Sequence, residues 1–326
     1  MREPILVVGA YGYRNTGDEA ILAGLLTTLA GRRVTVVSRS PAETTALHGV
    51  AAVGLHGAVP ALRRHRTLLI GGGGLFGRDV GRIGRLLPIF GLLAAALGRQ
   101  VIVVGVGVDA GMTGTHRLLV RRLLRAADQV TVRDEASARL LREWGIAPLV
   151  EEDLSARMAP ASARIGRSLL RGAGVDERRP VIGLCLTAVN DSLTPGVMAA
   201  AADLMQRHPE SQFCFIPMSQ HPFVERHNDL LLARSLQAIS PGLKIVEGTH
   251  HPATLLSLVG ALDAVVAMRY HALLFAERAG IPLIPIAYAD KSIAWLGERR
   301  LRAVEPTGRA LSRAVVKSLP ARSRAS

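Results

Sequence analysis

The residues best suited to chemistry sit where apolar, β-branched runs end. In AVVAMRYHALLFAERAG an apolar run closes at Met268, Arg269 and His271 flank Tyr270, and a helical pattern follows. A guanidinium, an imidazole and the free N–H groups of a helix's first turn converge there, a set that suits an anion bearing carboxylate and phosphate groups. Arg269 is the candidate clamp, its planar fork able to hold two oxygens at once, and His271 is the candidate general acid. A solitary histidine in such a place is ordinarily structural; the Arg-x-His combination at a helix mouth is what points to function.

A second set lies in VVGAYGYRNTGDEAIL, residues 7–22. Gly12 and Gly17 have the spacing of a phosphate-cradling loop, yet Asp18 and Glu19 stand where lysine and Ser/Thr belong, and carboxylates repel phosphate. Gly9, Gly12 and Gly17 do not form a dinucleotide fingerprint either. One reading has Asn15, Thr16, Gly17 and Asp18 binding an acceptor hydroxyl, with Asp18 taking its proton. The other has Asp18 and Glu19 merely capping the helix. In IGGGGLFGRD, Gly72, Gly73 and Gly74 leave backbone N–H groups unshielded after a strand, as an anion-receiving concavity or a tight turn. Arg133 in VRDEAS and Ser219, Gln220 and His221 in IPMSQHP leave two further strands and are candidate substrate contacts. His250 and His251 are adjacent rather than four apart, and no CxxC, HExxH or Gly-x-Ser-x-Gly occurs, so neither a metal nor a cofactor is expected.

Positioning these residues requires strand ends on one side of parallel sheets, and the sequence supplies the alternation. Strands are predicted at PILVVG, RVTVVS, TLLIGG, VIVVGV and QVTVR, with helices over 19–30, 86–97, 114–127 and 135–144. Asp134 is placed to cap the last of these and Gly145 to end it. Residues 159–179, rich in Ala, Ser and Arg, read as a linker. A second alternation follows: VIGLCL, a helix over 195–207, SQFCFIP, a helix over 222–238, LKIVEG, a helix over 252–262, AVVAM, a helix over 271–279, and PLIPIAY. The fold class is therefore α/β, with two doubly wound Rossmann-like domains, 1–162 and 163–326, facing across a cleft in a glycosyltransferase-B-like arrangement. A last helix over 309–319 is predicted to cross back onto the first domain.

Composition narrows the partners. The 326 residues carry 40 basic and 26 acidic groups, a formal charge of +14, and only Lys244, Lys291 and Lys317 among the basic ones are lysine. Such charge suggests an anionic small substrate, with an anionic membrane surface as a peripheral partner. Aromatics are 4% and no basic-aromatic interleaving occurs, which argues against nucleic acid. Cys185 and Cys214 lie in strand-like runs and read as small buried hydrophobes of a reducing compartment. The apolar stretch 86–98 is too short for a span of roughly 20 residues and reads as a buried helix. With no secretory signal at the start, the expected location is the cytoplasm, at most peripheral to the inner face of the membrane.

GAYGYRNTGDEAIL, LLIGGGGLF, TVRDEASARLLREWG and AMRYHALLFAERAGIPLIPIAYADK, in this order, resemble the polysaccharide pyruvyl transferase family over nearly the whole chain. The resemblance implies a glycosyltransferase-B-like fold and transfer of a pyruvyl group from phosphoenolpyruvate to two hydroxyls of a sugar or lipid-linked oligosaccharide, giving a cyclic ketal and phosphate. It implies that Arg269, Tyr270 and His271 help bind phosphoenolpyruvate, with Tyr270 where leucine is common, and that Arg133 matches the arginine of the VRD motif. After the VRD helix, members often carry Ala-Asp-Pro; here Glu152-Asp153-Leu154 keeps the aspartate and loses the proline. Two rival readings remain: a nucleotide-sugar glycosyltransferase of the same fold, and a non-catalytic sugar-binding member.

Overall fold

Continuous apolar strands, buried on both faces, dictate parallel sheets sandwiched by helices. The computed structural model describes residues 1–78 and 80–319; Asp79 of the glycine segment and the expected domain end at Ser326 lie outside them. The chain divides into two units, Met1–Ala159 and Pro160–Ser326. In the first, strands β1 (Ile5–Val8), β2 (Val34–Val37), β3 (Ala51–Val53), β4 (Thr67–Phe76), β5 (Gln100–Val108), β6 (Gln129–Val132) and β7 (Leu149–Val150) form one sheet in the order β3-β2-β1-β4-β5-β6-β7. In the second, β8 (Val181–Cys185), β9 (Gln212–Phe215), β10 (Lys244–Ile245), β11 (Ala264–Ala267) and β12 (Leu283–Pro285) pair as β10-β9-β8-β11-β12. Every pairing in both sheets is parallel.

The first unit's helices are α1 (Thr16–Thr28), α2 (Pro41–His48), α3 (Ala58–Arg64), α4 (Arg82–Ala96), α5 (Gly114–Ala126) and α6 (Glu135–Glu143). Alternation along β1 shows how they cover the sheet: Leu6 and Val8 join one core with Leu87 of α4 and Leu123 of α5, while Ile5 and Val7 join another with Ile21 and Leu25 of α1. The second unit carries α7 (Ala163–Gly172), α8 (Thr194–Arg207), α9 (Asp229–Ile239), α10 (Pro252–Val259), α11 (Tyr270–Ala279), α12 (Asp290–Glu298) and α13 (Gly308–Ser318). In each sheet the strand order reverses once, at β1/β4 and at β8/β11, and ligands of open α/β sheets bind beyond the strand ends at such points.

Three elements differ from expectation. The glycines Gly71–Gly74, read as a concavity or tight turn after a strand, lie within it: β4 runs through them, paired to β5 with a register shift between Gly73 and Phe76. Residues 163–172 of the expected linker form α7, packed on α10 so closely that Gly166 has no room for a side chain against the Ser257 backbone. The helix expected from Pro222 begins at Asp229, because Asn228 caps it by accepting from the Leu230 N–H, and a short 3₁₀ turn, Glu225–His227, precedes it. Helix α13 packs along α8, with Leu311 and Val315 in the second unit's core. Cys185 and Cys214 are buried and free, and burial pushes both thiols up, Cys214 to about 12.

One contact holds α1 in place. The 3₁₀ turn Leu154–Arg157 lies against it, and a Cβ on Gly24 would overlap the Leu154 carbonyl oxygen. Replacing an exposed helical glycine by alanine ordinarily gains roughly 1 kcal/mol. Gly24→Ala is expected instead to cost about 2–3 kcal/mol, because backbone rather than a flexible side chain must give way. The urea midpoint reads the sign, and a stabilised variant would mean that α1 is free to shift.

Candidate functional site

Between β1 and α1 the backbone turns at Gly12, whose φ of +79° favours glycine. Its N–H donates to Glu19 Oε1 at 2.8 Å, and Glu19 Oε2 meets His48 Nε2 at 2.8 Å, with both side chains buried. Glu19 therefore ties the loop from within. The cap of α1 is Asn15: its Oδ1 accepts from the Gly17 N–H at 3.1 Å while its Nδ2 donates to Asp18 Oδ2 at 2.7 Å. Thr16 and Gly17 are buried in the first turn, with the Gly17 N–H taken by Asn15. Asn15 and Asp18 remain half-exposed. Close by, Tyr11 is buried with its hydroxyl on the Gly71 carbonyl at 2.9 Å; burial pushes its phenol up, and the charges of Asp18 and Glu19 add to the shift.

The glycine strand meets Asp18. Gly72 and Gly73 adopt φ of +63° and +81°. A Cβ at Gly72 would overlap the Ile21 methyl, so this glycine serves the packing of α1 on the sheet. A Cβ at Gly73 would lie 3.3 Å from Asp18 Oδ1, and one at exposed Gly74 would lie 3.9 Å from Arg133 Nη2. Arg133, at the end of β6, lies over Gly107, where a Cβ would come within 3.0 Å of its Nε. Its Nε is 3.6 Å from Asp134, and its Nη1 is 3.7 Å from the buried Asp153, which also caps the Leu154 turn through the Ser155 N–H. Asp134 caps α6 as expected, accepting from the Ser137 N–H at 2.7 Å. One cluster thus gathers Asn15, Asp18, Gly73, Gly74 and Arg133 at the ends of β1, β4 and β6.

The second cluster surrounds the mouth of α11. Arg269, its N-cap residue, donates from Nε and Nη2 to Asp229 Oδ2 and Oδ1, each at 2.7 Å. The edge of the guanidinium expected to clamp a substrate anion is therefore held by a buried carboxylate. Asp229 Oδ2 also accepts from the N–H groups of Met218 (3.2 Å) and Ser219 (2.9 Å). Burial pushes the Asp229 carboxyl up, and Arg269 and the Ser219 N–H work against that shift. Tyr270 packs edge-on against His271 at 5.4 Å between centroids, with Lys291 Nζ 5.9 Å from the Tyr270 centroid. Burial pushes the His227 imidazole down to about 4, with repulsion from Arg269, His221, Arg226 and Lys291 adding to it. Tyr288 is raised by burial and lies within reach of both Arg269 and Asp229.

Ser219, Gln220 and His221 adjoin this cluster. Ser219 is buried, its N–H on Asp229 and its carbonyl accepting the Asp229 N–H at 2.7 Å. The Gln220 amide donates to the Gly248 carbonyl at 2.6 Å, and His221 Nδ1 accepts from the N–H groups of Phe223 and Val224. Asp229, Asp153 and Lys291 went unrecognised as site residues; the signals were Asn228 as a helix-capping residue, the aspartate kept before Leu154, and a lysine among only three. Chemically, the first cluster offers a proton acceptor and a cation beside bare backbone. The second offers several cations and an imidazole at a helix N-terminus. Among the described residues, no group of three or more His, Cys, Asp and Glu is placed to hold a metal ion.

A family model described as polysaccharide pyruvyl transferase matches residues 15–290, a span that includes both clusters up to Lys291. No curated protein sequence matches the chain significantly. Solved structures share its fold at low identity. UDP-GlcNAc 2-epimerase from Neisseria meningitidis bound to UDP-GlcNAc aligns with a TM-score of 0.64 at 11% identity, over 96% of this chain and 90% of that one. MnaA of S. aureus with UDP gives 0.66 at 9% over 96% and 87%, and Anabaena Alr3699/HepE in complex with UDP gives 0.55 at 13% over 96% and 94%. The fold is α/β of the glycosyltransferase-B type, built on a seven-stranded and a five-stranded parallel sheet.

Two outcomes test the second cluster's electrostatics. Removing one partner of a buried ion pair costs roughly 3–5 kcal/mol, so Asp229→Leu and Arg269→Met should each destabilise strongly, while the double variant loses much less than their sum. Additive losses in urea unfolding would show that the pair is not coupled. His227 binds its proton more weakly when folded (about 4) than at its ordinary value of 6.5. Its contribution to stability is therefore complete above pH 6.5 and is lost as pH falls from there toward 4. His227→Gln should flatten that slope.

Proposed function

Because the chain belongs to the polysaccharide pyruvyl transferase family, we propose that it moves a pyruvyl group from phosphoenolpyruvate to two hydroxyls of a sugar, closing a cyclic ketal and releasing phosphate. The observation that carries the donor assignment is the convergence of Arg269, Lys291, Tyr270 and His271 on the mouth of α11. The helix dipole favours an anion there, and fixed cations beside it neutralise a carboxylate and a phosphate. Arg269 acts as a preset charge, oriented by Asp229. The acceptor is a sugar of a cell-surface polysaccharide or its lipid-linked precursor, and it falls to Asn15 and Asp18, since a neutral hydroxyl needs a proton acceptor rather than a phosphate cradle. Arg133, among Asp134, Asp153 and the glycine strand, supplies the positive charge of that cluster.

The chemistry then makes one C–H and two C–O bonds to the donor and breaks its C2–phosphate oxygen bond. His271 protonates the donor's methylene carbon, and C2 becomes an oxocarbenium centre stabilised by the flanking enol oxygen. A first hydroxyl adds to C2 while Asp18 accepts its proton. The C2–phosphate oxygen bond breaks, and the proton held by Asp18 is released with the phosphate. The second hydroxyl adds to C2 and closes the ketal, its proton restoring the one His271 gave up. No step calls on a cofactor.

Phosphate release with phosphoenolpyruvate and a saccharide acceptor, followed beside nucleoside diphosphate release from UDP-sugars, tests the reading. Phosphate with ketal formation is expected; nucleoside diphosphate would instead identify a glycosyltransferase, and tight sugar binding without turnover a non-catalytic member. Asp18→Asn and His271→Gln should each lower kcat about 10²–10⁴-fold, the range of a lost general acid or base, while donor binding measured by calorimetry changes little. Near-normal turnover in either variant would remove that residue from the proton-transfer steps.

A further inference from the structure

Helix α4 is less buried than its sequence suggests. Leu87 and Ala94 enter the core, but Leu86, Ile89, Leu93 and Leu97, the residue after the helix's last turn, are 59%, 50%, 39% and 42% exposed. At about 100° per residue these four fall within an arc of roughly 80°, a continuous aliphatic stripe along one side of the helix. Single exposed leucines are ordinary, whereas an aligned row of large ones marks an interaction surface. Helix α5 packs beside α4, with Gly91 of α4 set against Leu123, and it turns Leu118 and Arg122 to solvent, whereas its Arg117 and Arg125 lie on Trp144, one over the indole ring and the other donating to the backbone carbonyl. Arg85 of α4 reaches toward this second helix: after burial, its charge is the further cause that pushes His116 of α5 down. Neither helix contains an Asp or Glu.

We propose that the α4–α5 face docks on an anionic lipid bilayer. The stripe enters the headgroup–acyl boundary to a depth of about 5–10 Å, and the flanking arginines meet lipid phosphates. Charge decides between this occupant and a second copy of the chain. A two-fold contact would set the same arginine-bearing face against itself, with no carboxylate on either helix to offset the repulsion. A membrane surface presents the opposite sign, and the chain's excess of 14 positive charges acts in the same sense. The helix lies on the surface and does not span it: among the described residues no helix is long and apolar enough to cross a membrane. The inference stands on this face alone and does not depend on the transfer chemistry.

Co-sedimentation of the full chain with large unilamellar vesicles tests it, comparing phosphatidylcholine alone with a mixture containing about one-third phosphatidylglycerol. Binding is expected on the anionic vesicles, with little on the neutral ones, and it should weaken as salt is raised. Ile89→Asp with Leu93→Asp, and separately Arg85→Glu with Arg122→Glu, should each reduce binding by at least about tenfold. Because these side chains are largely exposed, urea midpoints should stay near wild type. Arg171→Glu with Arg234→Glu, two exposed arginines of the other unit, makes the same change in net charge and should leave binding unaltered. Equal loss in that control pair would reduce the effect to overall charge and overturn the proposal. So would wild-type vesicle binding by the Ile89→Asp/Leu93→Asp variant, and so would conversion of a solution dimer to monomer by that variant, which would make a second copy the occupant.

Discussion

The first unit depends on a close approach of backbone to backbone at the carboxyl ends of its strands. Leu154 fits into space that Gly24, Gly72 and Gly105 leave empty, and a side chain on any of the three would collide with Leu154 or Ile21. With Leu154 seated there, the neighbouring Asp153 is placed beside Arg133, and Arg133 in turn lies on Gly107. Asp18 is fixed from the other side, by Asn15 and by the same glycine strand. Missing Cβ atoms thus decide where the charged groups stand. The loss of proline at position 154 is compatible with this arrangement, because leucine supplies the apolar plug and Asp153 still caps the turn.

The second unit fixes its arginine differently. Asp229 takes two guanidinium nitrogens and two backbone N–H groups, so the carboxylate is satisfied by four donors in a water-poor setting. Such a pair adds little net stability, since desolvation opposes the attraction, but it sets geometry because any other arrangement strands a charge. Arg133 stands 3.6–3.7 Å from Asp134 and Asp153 over a bare glycine, whereas Arg269 makes two 2.7 Å hydrogen bonds to Asp229.

Much of this was legible in the sequence. Alternating apolar strands and helices gave two parallel sheets, and Asp134 and Gly145 marked the limits of α6 through ordinary capping rules. The departures have physical causes. Glycine has low strand propensity, so GGGG read as an anion-receiving concavity or a tight turn beyond the strand, yet in a sheet interior its value is that it admits another backbone. Helix α7 is short and rich in arginine, and its apolar residues were too few to stand out from a linker. Asp229 was hidden because a helix drawn from Pro222 places it mid-helix, where an acidic residue looks solvent-facing; beginning the helix after Asn228 turns it inward. The clamp function read for Arg269 failed to foresee its partner, since Asp229 lies forty positions away and only the fold brings them together. The aliphatic stripe of α4 was visible as composition but not as exposure, which depends on which side of the helix the sheet covers.

The double tie made by Glu19 carries its own consequence. A single buried carboxylate joins the N–H of Gly12 to the ring of His48, linking the loop before α1 to the end of a different helix. The loop that carries Asn15 therefore arrives at any encounter already ordered. The entropy of fixing that segment is lost when the chain folds and not when a ligand binds, so a flexible ligand seated there would have only its own freedom to give up. Selectivity at such a preset loop would rest on the shape the ligand brings, not on how far the protein can adapt to it.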